Sequence, residues 1–234
     1  MIKQFSLVSS LITIILSTSS FAEEFPTETK KYYFQFNTGS SYGTIPKGDF
    51  GSKNISSWTS LFGIEAGYRY NEHYRAGLSL SYRPNYTFSD ETTENFVEEG
   101  VSGTDTSISK YQVKSLNIMA NIYYDITTIK NITPYLNVGA GLARNSIREV
   151  DTRISNYEFA GSDTTTTIGK TSKNSFAYKI GFGAEYKLNQ DFNLDIRYQY
   201  VDLGKIRARS TSNSASEKGT LRSQEILTGI TYKF

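Results

Sequence analysis

Apolar and polar residues alternate with a period of two along most of the chain. In the segment YRAGLSLSYRPNYTF, residues 74–88, Ala, Leu, Leu and Tyr alternate with Gly, Ser, Ser and Arg, and the apolar face continues through Tyr86 and Phe88. Successive side chains of a strand point to opposite faces, so this pattern predicts strands with one apolar and one polar face. Eight strands are predicted, at 32–43, 58–70, 74–88, 111–125, 134–144, 175–187, 192–203 and 222–234.

The segments between these strands alternate in length. Residues 71–73 and 188–191 form tight turns, and 126–133 is a connection of moderate length. Long polar segments separate the remaining strands, at 44–57, 89–110, 145–174 and 204–221. This order predicts an up-and-down meander with all short turns at one rim and all long loops at the other. A change of phase near Tyr111 and Val113 suggests a bulge in the fourth strand.

The polar face distinguishes a soluble barrel from a membrane barrel. It carries many glycines together with charged and amide side chains, although glycine weakens a solvent-facing strand. A narrow lumen needs small residues beside a few long ones, whereas the other face offers the Leu, Ile, Val and aromatic residues that lipid favours. The sequence therefore predicts an all-β fold: an eight-stranded antiparallel up-and-down transmembrane β-barrel with short periplasmic turns and long extracellular loops. The alternative is a soluble, lipocalin-like barrel with its apolar face inward.

The first 22 residues have the layout of a secretory signal peptide. Lys3 precedes a short apolar core at 7–16, and small residues lead to a cleavage site after Ala22. We expect residues 1–22 to be removed and 23–234 to form the barrel domain, with an uncleaved anchor as the alternative. There is no cysteine in the chain, so no disulfide contributes to its stability, and there is no basic stripe typical of nucleic-acid binding.

An enzymatic or metal-dependent role has little support in the sequence. The one histidine, His73, lies in a tight turn on the periplasmic side, opposite the long loops, so a Ser–His–acid arrangement at the outer rim is not available. There is no His/Cys cluster of the kind that binds transition metals. We expect a protein that is not an enzyme and has no cofactor.

Charged residues on the polar face of the strands are candidates for an interior network. Opposite charges in a lumen are expected to pair, because an unpaired charge there is costly. We expect Arg197 to be the central cation, with Glu65 and Glu185 as its partners. A network that plugs the lumen is favoured over the lining of a narrow pore, because eight strands leave little open space. The candidate lumen charge network is Glu65, Arg75, Lys179, Glu185, Asp195 and Arg197.

The long loops differ in charge. Loop 89–110 is acidic, loop 204–221 is basic, and loop 145–174 mixes arginines with aromatic residues. Loops on a rigid scaffold commonly carry binding functions, and a basic patch suits an acidic glycan or an acidic host protein. Solvated loops, or basic residues that hold lipopolysaccharide phosphates, are equally compatible with the pattern. The candidate binding residues are Arg148, Arg153, Tyr157, Lys205, Arg207 and Arg209.

Three segments resemble the small outer-membrane β-barrel family of Gram-negative bacteria, which includes OmpA-type and OmpX-type barrel domains. They are ITPYLNVGAGLA (132–143), LDIRYQYVDLGK (194–205) and the terminal GITYKF. In this family, a C-terminal aromatic residue preceded by alternating apolar residues is the signal that the barrel-assembly machinery reads. The resemblance assigns this role to Ile230, Tyr232 and Phe234, while Thr228 departs from the pattern. The composition and loop layout are also similar to those of rickettsial surface-adhesin barrels.

These observations predict an outer-membrane surface protein with a structural or adhesive role. The expected partners are outer-membrane lipid and lipopolysaccharide, the barrel-assembly machinery, and a host surface protein or acidic glycan, but no nucleic acid. We expect a monomer. The alternative function is a small porin-like channel for ions or small solutes.

Overall fold

The computed structural model describes residues 30–46, 54–98, 101–157, 160–209 and 216–234. Eight antiparallel strands, each paired with its neighbours in chain order, form a closed barrel in which β1 also pairs with β8, so the predicted fold is confirmed. The expected signal peptide at 1–22 lies outside the described residues. The strands are β1 Tyr32–Ile45, β2 Ile55–Arg69, β3 Tyr74–Glu98, β4 Val101–Asp125, β5 Ile132–Tyr157, β6 Ala160–Lys187, β7 Phe192–Arg209 and β8 Ser216–Lys233.

Within the described ranges there is no helix of the length and apolarity needed to cross a bilayer.

The strands reach further than the sequence pattern predicted. The segments predicted as loops 89–110 and 145–174 are mostly strand, and the β3–β4 ladder runs without a break from Ser89↔Lys110 to Glu98↔Val101. A bilayer needs only about 9–11 tilted residues per strand, whereas β6 has 28. Most residues in the additional part of the strands are polar by sequence, with only scattered apolar residues such as Ile147. Alternation of apolar and polar residues therefore does not reveal this part of the sheet.

The phase of β3 changes near its middle, which corrects two predictions. Arg83 is level with Ser115 and Tyr86 with Val113, so two residues of β3 lie opposite one residue of β4 in a bulge. After the bulge, Tyr86 and Phe88 point into the barrel and are fully buried, although the simple alternation placed them on the lipid face. The bulge predicted in β4 is wrong, because β4 keeps a constant phase with Tyr111 and Val113 inside.

Large apolar side chains cover the outer surface of the barrel. The outward face carries exposed Leu, Ile, Phe and Tyr side chains on every strand, as a surface in contact with acyl chains requires. Tyrosine and phenylalanine gather near the turn end, where the rings of Tyr32, Phe192, Tyr232 and Phe234 lie within about 6 Å of a neighbouring ring. The sheet is therefore inverted relative to a soluble barrel, with apolar residues outside and polar residues inside.

Contacts of Phe234 complete the seam between the first and last strands. Backbone hydrogen bonds join Phe234 and Tyr32 in both directions, at 3.0 and 3.1 Å. The Phe234 ring stacks on Tyr32 and on Tyr232, with centroids 6.1 and 5.8 Å apart. This residue therefore ties together the last hydrogen-bonded positions of β1 and β8.

Replacing the Phe234 ring should slow barrel closure. We expect Phe234→Ala to lower the fraction of folded barrel in a timed refolding into lipid vesicles, whereas Phe234→Tyr, which keeps a ring at the seam, should fold normally. The folded fraction is measured by the heat-modifiable mobility of unboiled samples in gels. Tyr70→Ala removes an exposed ring at a tight turn and serves as the control. Equal folding of Phe234→Ala and Tyr70→Ala would contradict a role for the ring in the seam.

Candidate functional site in the lumen and on the outer rim

A four-residue ion-pair cluster closes the turn end of the lumen. Arg75 on β3 donates to Asp125 on β4 at 3.1 Å and also contacts Glu185 on β6. Arg69 on β2 reaches the same two carboxylates, at 2.8 Å from Asp125 and 3.1 Å from Glu185. Because each carboxylate is shared by two guanidinium groups, the cluster cross-links four of the eight strands.

The rings of Tyr123 and Tyr135 pack against the Arg75 guanidinium. Its central carbon lies 4.4 Å from the centroid of the Tyr123 ring and 4.5 Å from that of Tyr135. Cation–π contacts of this kind strengthen when the site is shielded from water, and all three side chains are buried. The rings therefore add to the stabilisation that Asp125 and Glu185 give this buried cation.

The Glu65 carboxylate is satisfied by neutral donors. The hydroxyls of Tyr33 and Tyr123 donate to it at 2.8 and 2.7 Å, and the Asn121 amide donates at 2.9 Å. Tyr33 reaches this position because its ring lies over Gly67, where a β-carbon would stand 2.3 Å from the ring. Glycine on the polar face thus makes room for a large side chain that crosses the lumen.

Arg197 lies in the interior, but its direct partners differ from the predicted ones. Its guanidinium contacts Asp195 at 3.2 Å and donates to Tyr123 and Gln35 at 3.1 and 3.0 Å. The prediction that it pairs with Glu65 and Glu185 is wrong. Glu65 is joined to it only through the shared Tyr123 hydroxyl, because the tyrosine places its oxygen between the two charges.

Lys179 is buried in the middle of the lumen without joining these ion pairs. It is 6% exposed, and no ion pair connects it to another residue in the described part of the chain. Its side chain and that of Asn121 both lie over Gly139, each within 3 Å of where a β-carbon would stand. All six residues of the predicted network therefore lie in the lumen. Among the described residues, Lys179 and Glu65 are the members that join no ion pair, and Glu65 is satisfied by neutral donors instead.

A second buried pair, Arg83 with Glu225, was not predicted. The guanidinium meets the carboxylate with two hydrogen bonds, at 2.6 and 2.9 Å, and both side chains are at most 1% exposed. Ser41 and Gln199 each donate to Glu225 at 2.7 Å. Arg83 and Glu225 lie on the polar faces of β3 and β8. The period-two alternation of polar and apolar residues was therefore the signal that could have identified them as lumen residues.

An apolar cluster fills the lumen beyond this pair, toward the long strand extensions. Tyr86 connects the two layers, because its hydroxyl is 2.5 Å from the hydroxyl of Ser41, which also bonds Glu225. The described lumen is therefore closed twice, first by ion pairs and then by apolar packing. The cluster consists of Ile45, Ile55, Tyr86, Phe88, Tyr111, Val113, Met119, Ala143, Ile147, Ala177, Val201, Leu203, Ile206 and Leu221.

The predicted binding residues lie on the strand extensions rather than on separate loops. Arg148, Lys205 and Arg207 are exposed on the outside of β5 and β7. Arg153 and Tyr157 belong to β5 and Arg209 to β7, but their side chains lie outside the described part of the structure. Of the residues assigned to assembly, Tyr232 and Phe234 are 42% and 56% exposed on the lipid side, and Ile230 shares their face of β8.

His73 occupies the turn between β2 and β3, as the sequence indicated. Its ring nitrogen Nδ1 is 3.0 Å from the carbonyl oxygen of Asp125, and its ring lies 6.0 Å from that of Tyr124. These contacts belong to the tight-turn end of the barrel. The turn is far from the strand extensions that would carry a rim site.

A closed antiparallel barrel with a lipid-facing apolar belt and a charged, filled lumen defines a transmembrane barrel of the bacterial outer-membrane type. The model of the outer membrane protein beta-barrel domain matches residues 8–234, and the chain belongs to this family. The predicted family and the outer-membrane location are therefore confirmed.

Among the proteins similar to this chain in sequence are two bacterial proteins, and a solved structure is similar in fold. The chain is 29% identical over 182 residues to outer membrane protein PagN of Salmonella typhimurium, covering 74% of this chain and 72% of that protein. It is 24% identical over 171 residues to an uncharacterized protein of Rickettsia prowazekii, covering 67% and 89%. The fold is similar to that of neisserial surface protein A, with a TM-score of 0.49, 20% identity and coverage of 87% and 97%.

The Arg83–Glu225 pair is expected to show strong energetic coupling. Arg83→Met or Glu225→Met alone should each lower the free energy of unfolding by about 3–5 kcal/mol, because each leaves one buried charge without its partner. The double variant should be less destabilised than the sum of the two, since no charge remains uncompensated. Urea unfolding in lipid vesicles, followed by the fluorescence of Trp58, measures these differences.

The exposed pair of Lys30 and Asp191 supplies the control for this cycle. Both side chains are more than one third exposed, so solvent screens their attraction, and the same substitutions should have a far smaller effect. Strict additivity of Arg83→Met and Glu225→Met would refute a coupled buried pair.

Proposed function

We propose that this outer-membrane surface barrel is an adhesive protein that binds polyanionic glycans through basic residues on its strand extensions. The observation that carries the proposal is the pairing of Arg148 on β5 directly opposite Lys170 on β6. Both side chains are exposed on the outside of the sheet. Like charges directly across a ladder are destabilising unless an anion lies between them.

Further basic residues surround this pair. Arg148 pairs with Gln112 on β4. Lys110 lies two residues from Gln112 on the same strand face and is exposed. Arg207 is exposed on β7. We refer to Arg148, Lys170, Lys110 and Arg207 as the distal basic group. A repeating polyanion such as a sulfated glycan offers several charges at once, whereas a single small anion does not, and such binding is weakened by salt.

The proposed role is non-enzymatic. The chemistry proposed for the site is charge complementarity at the rim, and the one histidine lies in a turn at the opposite end of the barrel. A host surface protein with an acidic face is the second class of ligand that the distal basic group would accept.

The lumen offers less support for the alternative function as a channel. The Arg75 and Arg83 ion pairs and the apolar cluster lie in series across the described interior. Passage of an ion would require all three of these buried layers to move, and breaking a buried pair is costly.

Glycan binding is tested with heparin as the probe. Cells that display the barrel should bind immobilised heparin, and the double variant Arg148→Gln/Lys170→Gln should bind roughly 10-fold more weakly or worse, because two charges at the centre of the group are lost. The matched control is Lys31→Gln/Lys187→Gln, which removes two exposed charges at the turn end. Equal loss in both double variants would show that only net charge matters, and no loss in either would refute the distal basic group as the site.

Conductance measurements test the alternative. In planar bilayers the refolded protein should give no stable unitary current steps, because the two ion-pair layers and the apolar cluster close the lumen. The variant Arg75→Ala/Arg83→Ala serves as the comparison, since it removes the largest charged side chains of both polar layers. Stable steps in the wild-type protein would support the channel and contradict the closed lumen.

A further inference from the structure

On β4, β5 and β6 the outward-facing apolar belt ends abruptly on the side of the strand extensions. Large apolar residues on the outward face give way to polar ones at Leu116 on β4, Leu142 on β5 and Phe176 on β6, which are 42%, 58% and 64% exposed. On each of these strands the next three outward positions are polar. Leu142 and Phe176 are directly opposite each other in the ladder. The outward positions beyond these residues should therefore lie at the level where acyl chains give way to lipid headgroups.

Basic residues occupy this level. Toward the strand extensions, the next outward position after Leu116 on β4 is Lys114, and the next after Leu142 on β5 is Arg144. Lys205 on β7 and Arg222 on β8 are also exposed and outward-facing. We call Lys114, Arg144, Lys205 and Arg222 the basal arc. It borders the apolar belt, whereas the distal basic group lies farther along the extensions.

A backbone bulge places Lys205 in the arc. Up to Leu203, the inward-facing residues of β7 are those with odd numbers. Without a bulge, Lys205 would therefore point into the lumen. The register shifts between Asp202 and Lys205, where Gly204 adopts a φ of 75° and donates its N–H to the Asp202 carboxylate at 2.8 Å. A β-carbon on Gly204 would stand 2.4 Å from the carbonyl oxygen of Phe176, so the bulge requires glycine.

Side chains from β5 and β6 hydrogen-bond to the backbone of the bulge. The Lys205 carbonyl accepts a hydrogen bond from the Ser175 hydroxyl at 2.8 Å, and the Leu203 carbonyl accepts one from the Asn145 amide at 2.8 Å. These contacts keep Lys205 beside β6, on the same side of the barrel as Arg144. Lys205 therefore points outward as a consequence of a defined local structure, and not by chance exposure.

Few negative charges balance the arc. Among the outward side chains that the structure describes beyond the belt on β4 to β8, Asp202 is the one carboxylate, and it lies 3.4 Å from Arg222. Lys114, Arg144 and Lys205 form no ion pair with another described residue. On β1 to β3, Ser and Thr occupy the corresponding outward positions, such as Ser56, Thr87 and Thr44, the last of which is level with Arg222. The positive charge is thus confined to one side of the barrel.

We propose that the basal arc binds the phosphate groups of a glycolipid in the outer leaflet. Lys and Arg are the side chains that bind phosphate in proteins, Arg with two parallel hydrogen bonds and Lys as a point charge. The arc borders the belt that contacts acyl chains, so a ligand whose own acyl chains lie in the membrane can place its phosphates there. The arc is independent of the distal basic group, so glycan binding and lipid binding can fail separately.

The binding experiment compares three bilayers. Full-length barrel is placed in nanodiscs of phosphatidylcholine alone, of phosphatidylcholine with bis-phosphorylated lipid A, or of phosphatidylcholine with the same lipid A after removal of its phosphates. Lipid retained on the released protein is measured by native mass spectrometry, and the unfolding temperature is measured in each bilayer. We expect wild-type protein to retain the phosphorylated lipid and to unfold at a higher temperature in its presence.

The variant Lys114→Gln/Arg144→Gln/Lys205→Gln removes the arc while leaving the Arg222–Asp202 pair. Its affinity for phosphorylated lipid A should fall roughly 100-fold, because each basic residue near anionic lipid contributes about fivefold. The matched control is Arg148→Gln/Lys170→Gln/Arg207→Gln, which removes three charges from the distal basic group and should keep the lipid. Gly204→Ala should weaken retention while leaving every charge in the chain unchanged.

Several outcomes would overturn the proposal. Equal retention of dephosphorylated lipid A would show that acyl packing alone holds the lipid, and equal loss in both triple variants would show a nonspecific effect of charge. Release of the lipid by millimolar inorganic phosphate would identify a small-anion site instead. If the triple variant does not fold, the single variants and a salt titration of wild-type protein provide the test, because headgroup binding must weaken as salt rises.

Discussion

Hydrogen bonds between β1 and β8 close the sheet, and the other features of the structure depend on this closure. In the hydrocarbon layer no water is available for an unpaired N–H or C=O, so a spanning sheet must have no edge. Twelve successive residue pairs, from Tyr33↔Lys233 to Thr44↔Arg222, provide the closing ladder. Closure also creates a narrow interior that side chains must fill, and it places the alternate side chains of every strand in contact with lipid.

Filling the interior with charges is possible because almost every charge has a specific neighbour. Carboxylates are shared between arginines at the turn end, tyrosine hydroxyls donate to Glu65 in place of an adjacent cation, and Asp195 accepts from Tyr135 as well as from Arg197. Glycines beneath Tyr33 and Tyr135 provide the necessary space. Beyond Arg83 and Glu225 the interior becomes apolar, so the barrel contains a hydrophobic core inside a membrane protein whose outer surface is also apolar. The outer surface then divides by height into a lipid belt, a basal arc and a distal basic group.

Alternation in the sequence was sufficient to identify the strands, their number and the inward phase of Glu65, Arg75 and Arg197. It did not identify partners, because a partner depends on which residues meet across a lumen from distant strands. Tyr86 illustrates the limit: its residue type favours the lipid face, and only the bulge after Arg83 directs it inward. Strand length was underestimated for a related reason. The extensions of β3 to β6 consist mostly of polar residues, so the sequence shows no regular alternation of apolar and polar residues there.

The sequence by itself determined that the chain forms a closed, inverted barrel, since period-two alternation with glycine and charge on one face has few other solutions. The tertiary structure decided which charges pair, where the lumen changes from polar to apolar, and which basic residues face outward at the edge of the lipid belt. The physical reason is that these outcomes depend on register. A single extra residue in a strand reverses the direction of every side chain after it, as the bulges at Arg83 and Gly204 do, and register is established only when neighbouring strands pair.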